Sequence, residues 1–145
     1  MPYISLKFQI TIMDKLTTTK QALNQLFEVG NLATIPSIFD ENYVAHAGDK
    51  TYNGHKFIEQ FVKQIRNAIP DINISKLELL SDNNDLLTIQ KTFSGTHRSP
   101  LKGIPASGKK VKWYEISVVK FNNDKIIEEW VVSDLAAQLM LKLKS

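Results

Sequence analysis

The apolar residues of this chain change their period once, at Pro70, and that change restricts what the chain can fold into. Before it, "GHKFIEQFVKQIRNAIP" places Phe57, Ile58, Phe61, Val62, Ile65 and Ile69 on one face of a helix. Glu59 and Lys63, four residues apart, occupy the opposite face and suit an ion pair. Proline cannot continue the backbone ladder, so Pro70 ends the helix. After it the period is two. "INISKLELL" and "LLTIQKTFSGTH" read as strands joined through the turn residues "SDNND". "VKWYEISVVKF" and "IIEEWVVS" read as a second hairpin through "NNDK". The Pro- and Gly-bearing stretch "RSPLKGIPASGKK" is the loop between the hairpins, and a final apolar helix follows Asp134.

Upstream, "TTTKQALNQLFEVGN" predicts a helix with N-cap hydroxyls at Thr17 to Thr19 and Gly30 at its C-terminal stop. "LATIPSIF" predicts a short helix broken or begun at Pro36, "NYVAH" a short strand, and "TYNG" a turn. Three helices, a meander of four long strands and a last helix specify the α+β class with an antiparallel sheet. The long helix at 55–69 is the cover for the apolar side of that sheet. A curved sheet wrapped over the N-terminal helices makes a cone, and the open end of a cone is a natural ligand pocket.

Composition narrows the function classes. At 145 residues the chain fits one domain, with an apolar share of 43% and a charged share of 23%. Zero cysteines exclude disulfides and thiolate metal sites and fit a reducing, cytoplasmic setting. A net charge of +3 with scattered lysines and no block of like charges argues against nucleic acid as a partner. No apolar run reaches the roughly 20 residues needed to span a membrane. Residues 1–12, "MPYISLKFQITI", lack a basic leader region and a small-residue cleavage site. They are expected to be an N-terminal extension or an added edge strand, with residues 13–145 forming the domain.

Several stretches taken together, "NYVAH", "IPD", "SGTH", "LKGIPASGKKV", "DKIIEEWVVSD" and "LAAQLMLKL", stand in an order and spacing that resemble the SnoaL-like polyketide cyclases. These are also labelled ester cyclases and belong to the nuclear-transport-factor-2-like superfamily. The resemblance covers about residues 14–143. It implies a cone-shaped α+β barrel, dimeric through the outer face of its sheet. It also implies intramolecular aldol chemistry on a polyketide-like ester, without metal or cofactor, with an aspartate at the position of Asp134 as general acid/base. Two departures stand out. "WYEISVVKF" has no histidine where the ring-closing members place one facing the aspartate, and "DKIIEEW" carries Glu129 where histidine is common. They leave room for two other readings: an isomerase or hydrolase using a different pocket acid, and a non-catalytic ligand-binding or dimerisation module.

Each candidate residue has a chemical and a plain reading. Strict alternation puts Ile126, Glu128, Trp130, Val132 and Asp134 on one strand face, so Asp134 follows Trp130 into the cavity if Trp130 faces it. The plain reading makes Asp134 the N-cap of the last helix. A carboxyl group among Trp130, Trp113 and phenylalanines would lose solvation, gain pKa and shuttle a proton α to a carbonyl. His97 bonds either a ligand or the backbone of the next loop. Alternation sends Tyr43 one way and His46 the other, both being candidate ligand contacts, while His55 reads as surface. Glu115, among apolar neighbours on the strand of Trp113, either pairs with Asp134 or faces solvent at a dimer rim. Phe57, Phe61 and Phe93 read as core or pocket wall. The histidines at 46, 55 and 97 have no metal-ligand spacing, and neither a metal nor a nucleotide cofactor is expected. The expected partners are a small apolar or aromatic ligand and a second copy of the chain.

Overall fold

The computed structural model describes residues 15–145, and the expected edge strand or extension at 1–12 lies outside them. Helical turns over 15–23 pass into wide π-type turns at Asn24–Val29, together α1. Gly30 ends α1 at φ 80°, the left-handed conformation that favours glycine, as the sequence led one to expect. The threonines do not cap it: Thr19 Oγ1 donates to the Lys15 carbonyl at 2.9 Å, one turn back within the helix. A 3₁₀ turn at Leu32–Thr34 leads into α2 (Ile35–Ile38), where Pro36 sits in the first turn and needs no donor.

The expected short strand is longer, β1 at Phe39–Ala47, and "TYNG" is not a turn but part of β2 (Lys50–Asn53), paired antiparallel to β1. The turn is instead at Gly48, whose φ of 66° the reversal requires. Then follow α3 (Gly54–Ala68), β3 (Asn73–Asn83), β4 (Leu86–Thr96), β5 (Lys110–Asn122), β6 (Lys125–Ser133) and α4 (Leu135–Lys144). The strands form one curved, unclosed sheet in the order β2-β1-β6-β5-β4-β3. All neighbours are antiparallel except β1 and β6, which run parallel, so the sheet is mixed where a purely antiparallel one was expected. The parallel pair is allowed because β1 lies far upstream of β6, with α3 and four strands forming the connection.

The architecture is the α+β cone the order of elements predicts. α3 lays its apolar face on the concave side of the sheet, with Val62 and Ile65 almost wholly buried. Each such side chain contributes about 1.5–3 kcal/mol of burial. Glu59 and Lys63 do not form an ion pair. His55, expected at the surface, is half-buried and ties the start of α3 to β1: its Nε2 lies 3.0 Å from the carbonyl oxygens of both Phe39 and Asp40, so that nitrogen is a donor. Gly95 on β4 has a packing reason. A Cβ there would overlap the Ile69 side chain and press on Ile72 Cα, so glycine lets the end of α3 meet the sheet.

Two apolar clusters result. One joins α1, α2, β1 and α3 to Leu87, Ile89, Val119, Phe121 and Ile126. The other joins Ile65, Ile69, Phe93, Trp113 and Leu101 to Leu135 and Leu139 of α4. Phe27 bridges them from α1. Among the described residues no helix is long and apolar enough to cross a membrane.

Candidate functional site

Between the two clusters lies a cavity of about 640 Å³, within the usual range of roughly 300–1,000 Å³ for small-molecule sites. Its floor is apolar, with Phe39, Ile89, Val119 and Ile126, and one wall is aromatic, with Phe27, Tyr52, Phe57 and Phe61. Tyr52 stacks on Phe57 at 4.5 Å between centroids and Phe57 on Phe61 at 6.0 Å.

The polar groups come from the sheet. Side chains alternate along a strand, so β4 sends Leu87, Ile89, Lys91 and Phe93 to the concave side. Their partners on β5 are Val119, Ser117, Glu115 and Trp113. Across β6, Val119 faces Glu129, Ser117 faces Val131 and Glu115 faces Ser133. Lys91, Glu115 and Ser133 therefore form a cross-strand row, with Glu129 four residues from its end.

The parity of β6 breaks at one residue. Phe121 pairs with Ile126, but the next position, Lys120, pairs with Glu128, which leaves Ile127 as an extra residue. This β-bulge turns the rest of the strand over. Ile126 faces inward, and beyond the bulge so do Glu129, Val131 and Ser133, which line the cavity. Glu128, Trp130 and Val132 alternate to the convex face, where Trp130 is 39% and Val132 76% exposed, Val132 also bordering the cavity mouth. Trp130 therefore does not face the cavity, contrary to the alternation argument. Tyr43 and Ala45 of β1 lie inward beside Glu129.

Glu129 lines the cavity beside Tyr43. The Tyr43 hydroxyl donates to its Oε1 at 2.9 Å, and no protein donor reaches Oε2 among the described residues. Burial raises the carboxyl group above the ordinary carboxylate range; Lys91 and the Tyr43 hydrogen bond oppose the rise, and Glu115 adds to it. Burial first, and then the Glu129 charge and hydrogen bond, push the Tyr43 hydroxyl well above its usual value, so it remains a donor. Lys91 is buried, with Nζ 3.5 Å from Glu115 Oε1 and 6.0 Å from the Phe93 ring centroid. The cavity thus holds two carboxyl groups in unequal surroundings, one paired with a lysine and one half-buried beside a tyrosine.

Asp134 is elsewhere. It sits at the junction of β6 and α4 between two wall residues, Ser133 and Leu135, but does not itself line the cavity. Its Oδ1 accepts from the Tyr114 backbone N–H at 2.8 Å and its Oδ2 from the Gln138 amide at 3.1 Å. Its side chain does not cap α4 either; the Ser133 hydroxyl takes the Leu135 N–H at 3.2 Å. Glu115 lines the cavity, yet its partner is Lys91 and not Asp134.

The other candidates divide. Tyr43, Phe57 and Phe61 line the cavity with Glu115. His46 borders it, but its ring turns to the convex face, stacked on Trp130 at 5.2 Å with Nε2 2.6 Å from Glu128 Oε2. Phe93 and Trp113 stack at 5.2 Å inside the second apolar cluster, away from the cavity wall. His97 is fully buried with neither ring nitrogen hydrogen-bonded, so it bonds neither a cavity group nor the following loop through its ring. Sequence reasoning passed over Glu129 and Lys91. Lys91 had a signal: it falls at period two between Ile89 and Phe93, an inward position for a charge. Glu129 was marked only as a departure from the family's histidine, and its facing was hidden because a bulge leaves no mark in "KIIEEWVVS".

Comparison with known proteins agrees with the fold. The family profile of the SnoaL-like polyketide cyclases matches residues 17–140. Among curated proteins, none matches the sequence. A solved structure from Jannaschia sp. CCS1, provisionally assigned as a SnoaL-like polyketide cyclase, superposes with TM-score 0.79 at 15% identity, covering 92% of this chain and 93% of that one. Another from Acidithiobacillus ferrooxidans, provisionally a polyketide cyclase, gives 0.76 at 18% identity with 90% and 95% covered. AclR from Streptomyces galilaeus, provisionally a hydroxylase, gives 0.70 at 20% identity with 89% and 96% covered. At such identities the likeness is one of fold, and the assigned activities differ. The chain belongs to the SnoaL-like polyketide cyclase family.

Proposed function

We propose that the cavity carries out cofactor-independent proton transfer on an apolar carbonyl compound, of the cyclase or isomerase type, with Glu129 as the acid. The observation that carries this reading is a carboxyl group raised by burial, held on one oxygen by Tyr43 and open on the other, inside an apolar cavity. A ligand carbonyl oxygen meeting Oε2 would receive a hydrogen bond, then the proton, as negative charge develops on it. Glu115, paired with Lys91, is the carboxylate available to take a proton α to that carbonyl. The resulting enol carbon would attack a second carbonyl in a cyclase or be reprotonated in an isomerase.

A second reading keeps Asp134 as the acid/base. Its support is the family pattern and its place between the wall residues Ser133 and Leu135. The two separate in a paired test on an enolisable polyketide-like ester. Glu129→Gln should lower turnover by roughly 10²–10⁴-fold, the usual share of one proton-transfer group, with Asp134→Asn close to wild type. The reverse pattern would make Asp134 the acid. A ligand that binds tightly and is never turned over by wild type would make the protein a binding module.

The chain is also proposed to be a cytoplasmic homodimer. On the convex face Tyr114, Ile116, Trp130 and Val132 are exposed on neighbouring strands β5 and β6, an apolar band suited to a two-fold contact. An interface there should bury roughly 1,200–2,000 Å² in total. Light scattering should give twice the chain mass, and Val132→Lys with Ile116→Lys should give a single-chain mass.

A further inference from the structure

The residues that both line the cavity and are exposed form its rim: Ala47, Gly48, Gln64, Lys102, Val132 and Ser133. Lys102 is the one charged residue of the six. Deeper in, Lys91 already has its partner, Glu115. Among the described residues no carboxylate pairs with Lys102.

The local backbone makes the choice of lysine informative. Leu101 and Ile104 exchange backbone hydrogen bonds of 3.0 and 2.9 Å around Lys102 and Gly103, which have φ 53° and 74°. Two central residues with positive φ make a tight turn that favours Asn, Asp or Gly at its first position. Lysine is a costly occupant of that conformation. Leu101 and Ile104 are both buried, so the turn is anchored and Lys102 is held at the mouth.

We propose that Lys102 makes the cavity selective for ligands with an apolar body and one anionic group, such as a carboxylate, which stays at the rim against its ammonium. This rests on the reading of the cavity as a ligand site. It adds an orientation: the anionic end faces solvent, and the uncharged carbonyl end reaches Glu129 and Tyr43.

Two probes with the same ring system test it: 8-anilino-1-naphthalenesulfonate, which is anionic, and N-phenyl-1-naphthylamine, which is neutral. Lys102→Asn and Lys102→Asp both suit the turn, so the fold is not at risk, and Lys144→Glu controls for net charge. The anionic probe should bind Lys102→Asn about twofold to fivefold more weakly than wild type, as expected for an exposed ion pair, and Lys102→Asp more weakly still. Affinity for the neutral probe should be unchanged in every variant, and Lys144→Glu should match wild type for both. Unchanged anionic binding in both Lys102 variants would overturn the proposal while leaving the cavity a ligand site. Equal weakening of both probes would overturn it too, since the residue would then shape the mouth and not select charge. If neither probe binds wild type, the cavity reading falls and the proposal with it.

Discussion

Of the three carboxyl groups in or beside this cavity, Asp134 and Glu129 make the sharpest contrast. At the junction of β6 and α4, Asp134 is given a backbone N–H and a side-chain amide, one for each oxygen. In the cavity wall, Glu129 is given one phenolic hydroxyl, and burial raises its pKa. Hydrogen bonds to an ionised carboxylate favour the charged form, while removal of solvent without enough donors favours the neutral one. The comparison shows what each site leaves for a ligand: both Asp134 oxygens are taken by donors of the protein, while among the described residues Glu129 Oε2 meets none.

The comparison breaks most visibly if the Lys91–Glu115 pair is dismantled. Lys91→Met leaves a half-buried carboxylate without its cation beside Glu129 and should cost about 3–5 kcal/mol in urea unfolding. The double variant Lys91→Met with Glu115→Leu should recover most of that loss, because an apolar pair of similar volume has no charge to desolvate. A double variant no more stable than the single one would mean that the pair is not the source of the cost.

The pH dependence sharpens the contrast. The Glu129 carboxyl group is raised in the folded state, so folding takes up its proton. Its contribution is full below the unfolded carboxylate pKa and is lost as pH rises through the folded value. Stability of wild type relative to Glu129→Gln should therefore fall as pH rises across that window. Asp134→Asn should leave this difference between the two proteins unaltered. A flat difference would show that the burial does not act on Glu129.

The smallest effect belongs to the junction. Asp134→Ala removes the acceptor for the Tyr114 N–H and should cost about 1 kcal/mol. Asp134→Asn keeps one acceptor oxygen and should cost less. Thermal unfolding of the two variants checks the order, and equal stability of Ala, Asn and wild type would remove even the structural role.

Much of the fold was legible because its signals are long. The face of α3 from Phe57 to Ile69, the alternation along β4 and β5, and the left-handed stop at Gly30 are each written over several residues or fixed by one permissive residue. Phe57, Phe61 and Glu115 lie on these elements and line the cavity, as does Tyr43 of β1. β2 was not legible, because "KTYN" is short and gains its strand form only from pairing with β1. The acid was missed for a different reason. A period-two argument carries every side chain of a strand together, so a single unpaired residue at Ile127 moves Trp130 and Asp134 off the wall and Glu129 onto it. His46 and Trp130 show the same effect from outside, stacked on the convex face.

That extra residue in β6 has a consequence for comparing relatives. Ile127 acts as a frame shift within one strand: two chains can share every aligned column from "DKIIEEW" onward and still turn opposite sets of side chains toward the ligand. A role copied column by column would then land on the wrong side of the sheet without any mismatch to betray it. Homologues of this chain are best sorted first by whether they carry the bulge, and only then by which residue occupies the position of Glu129.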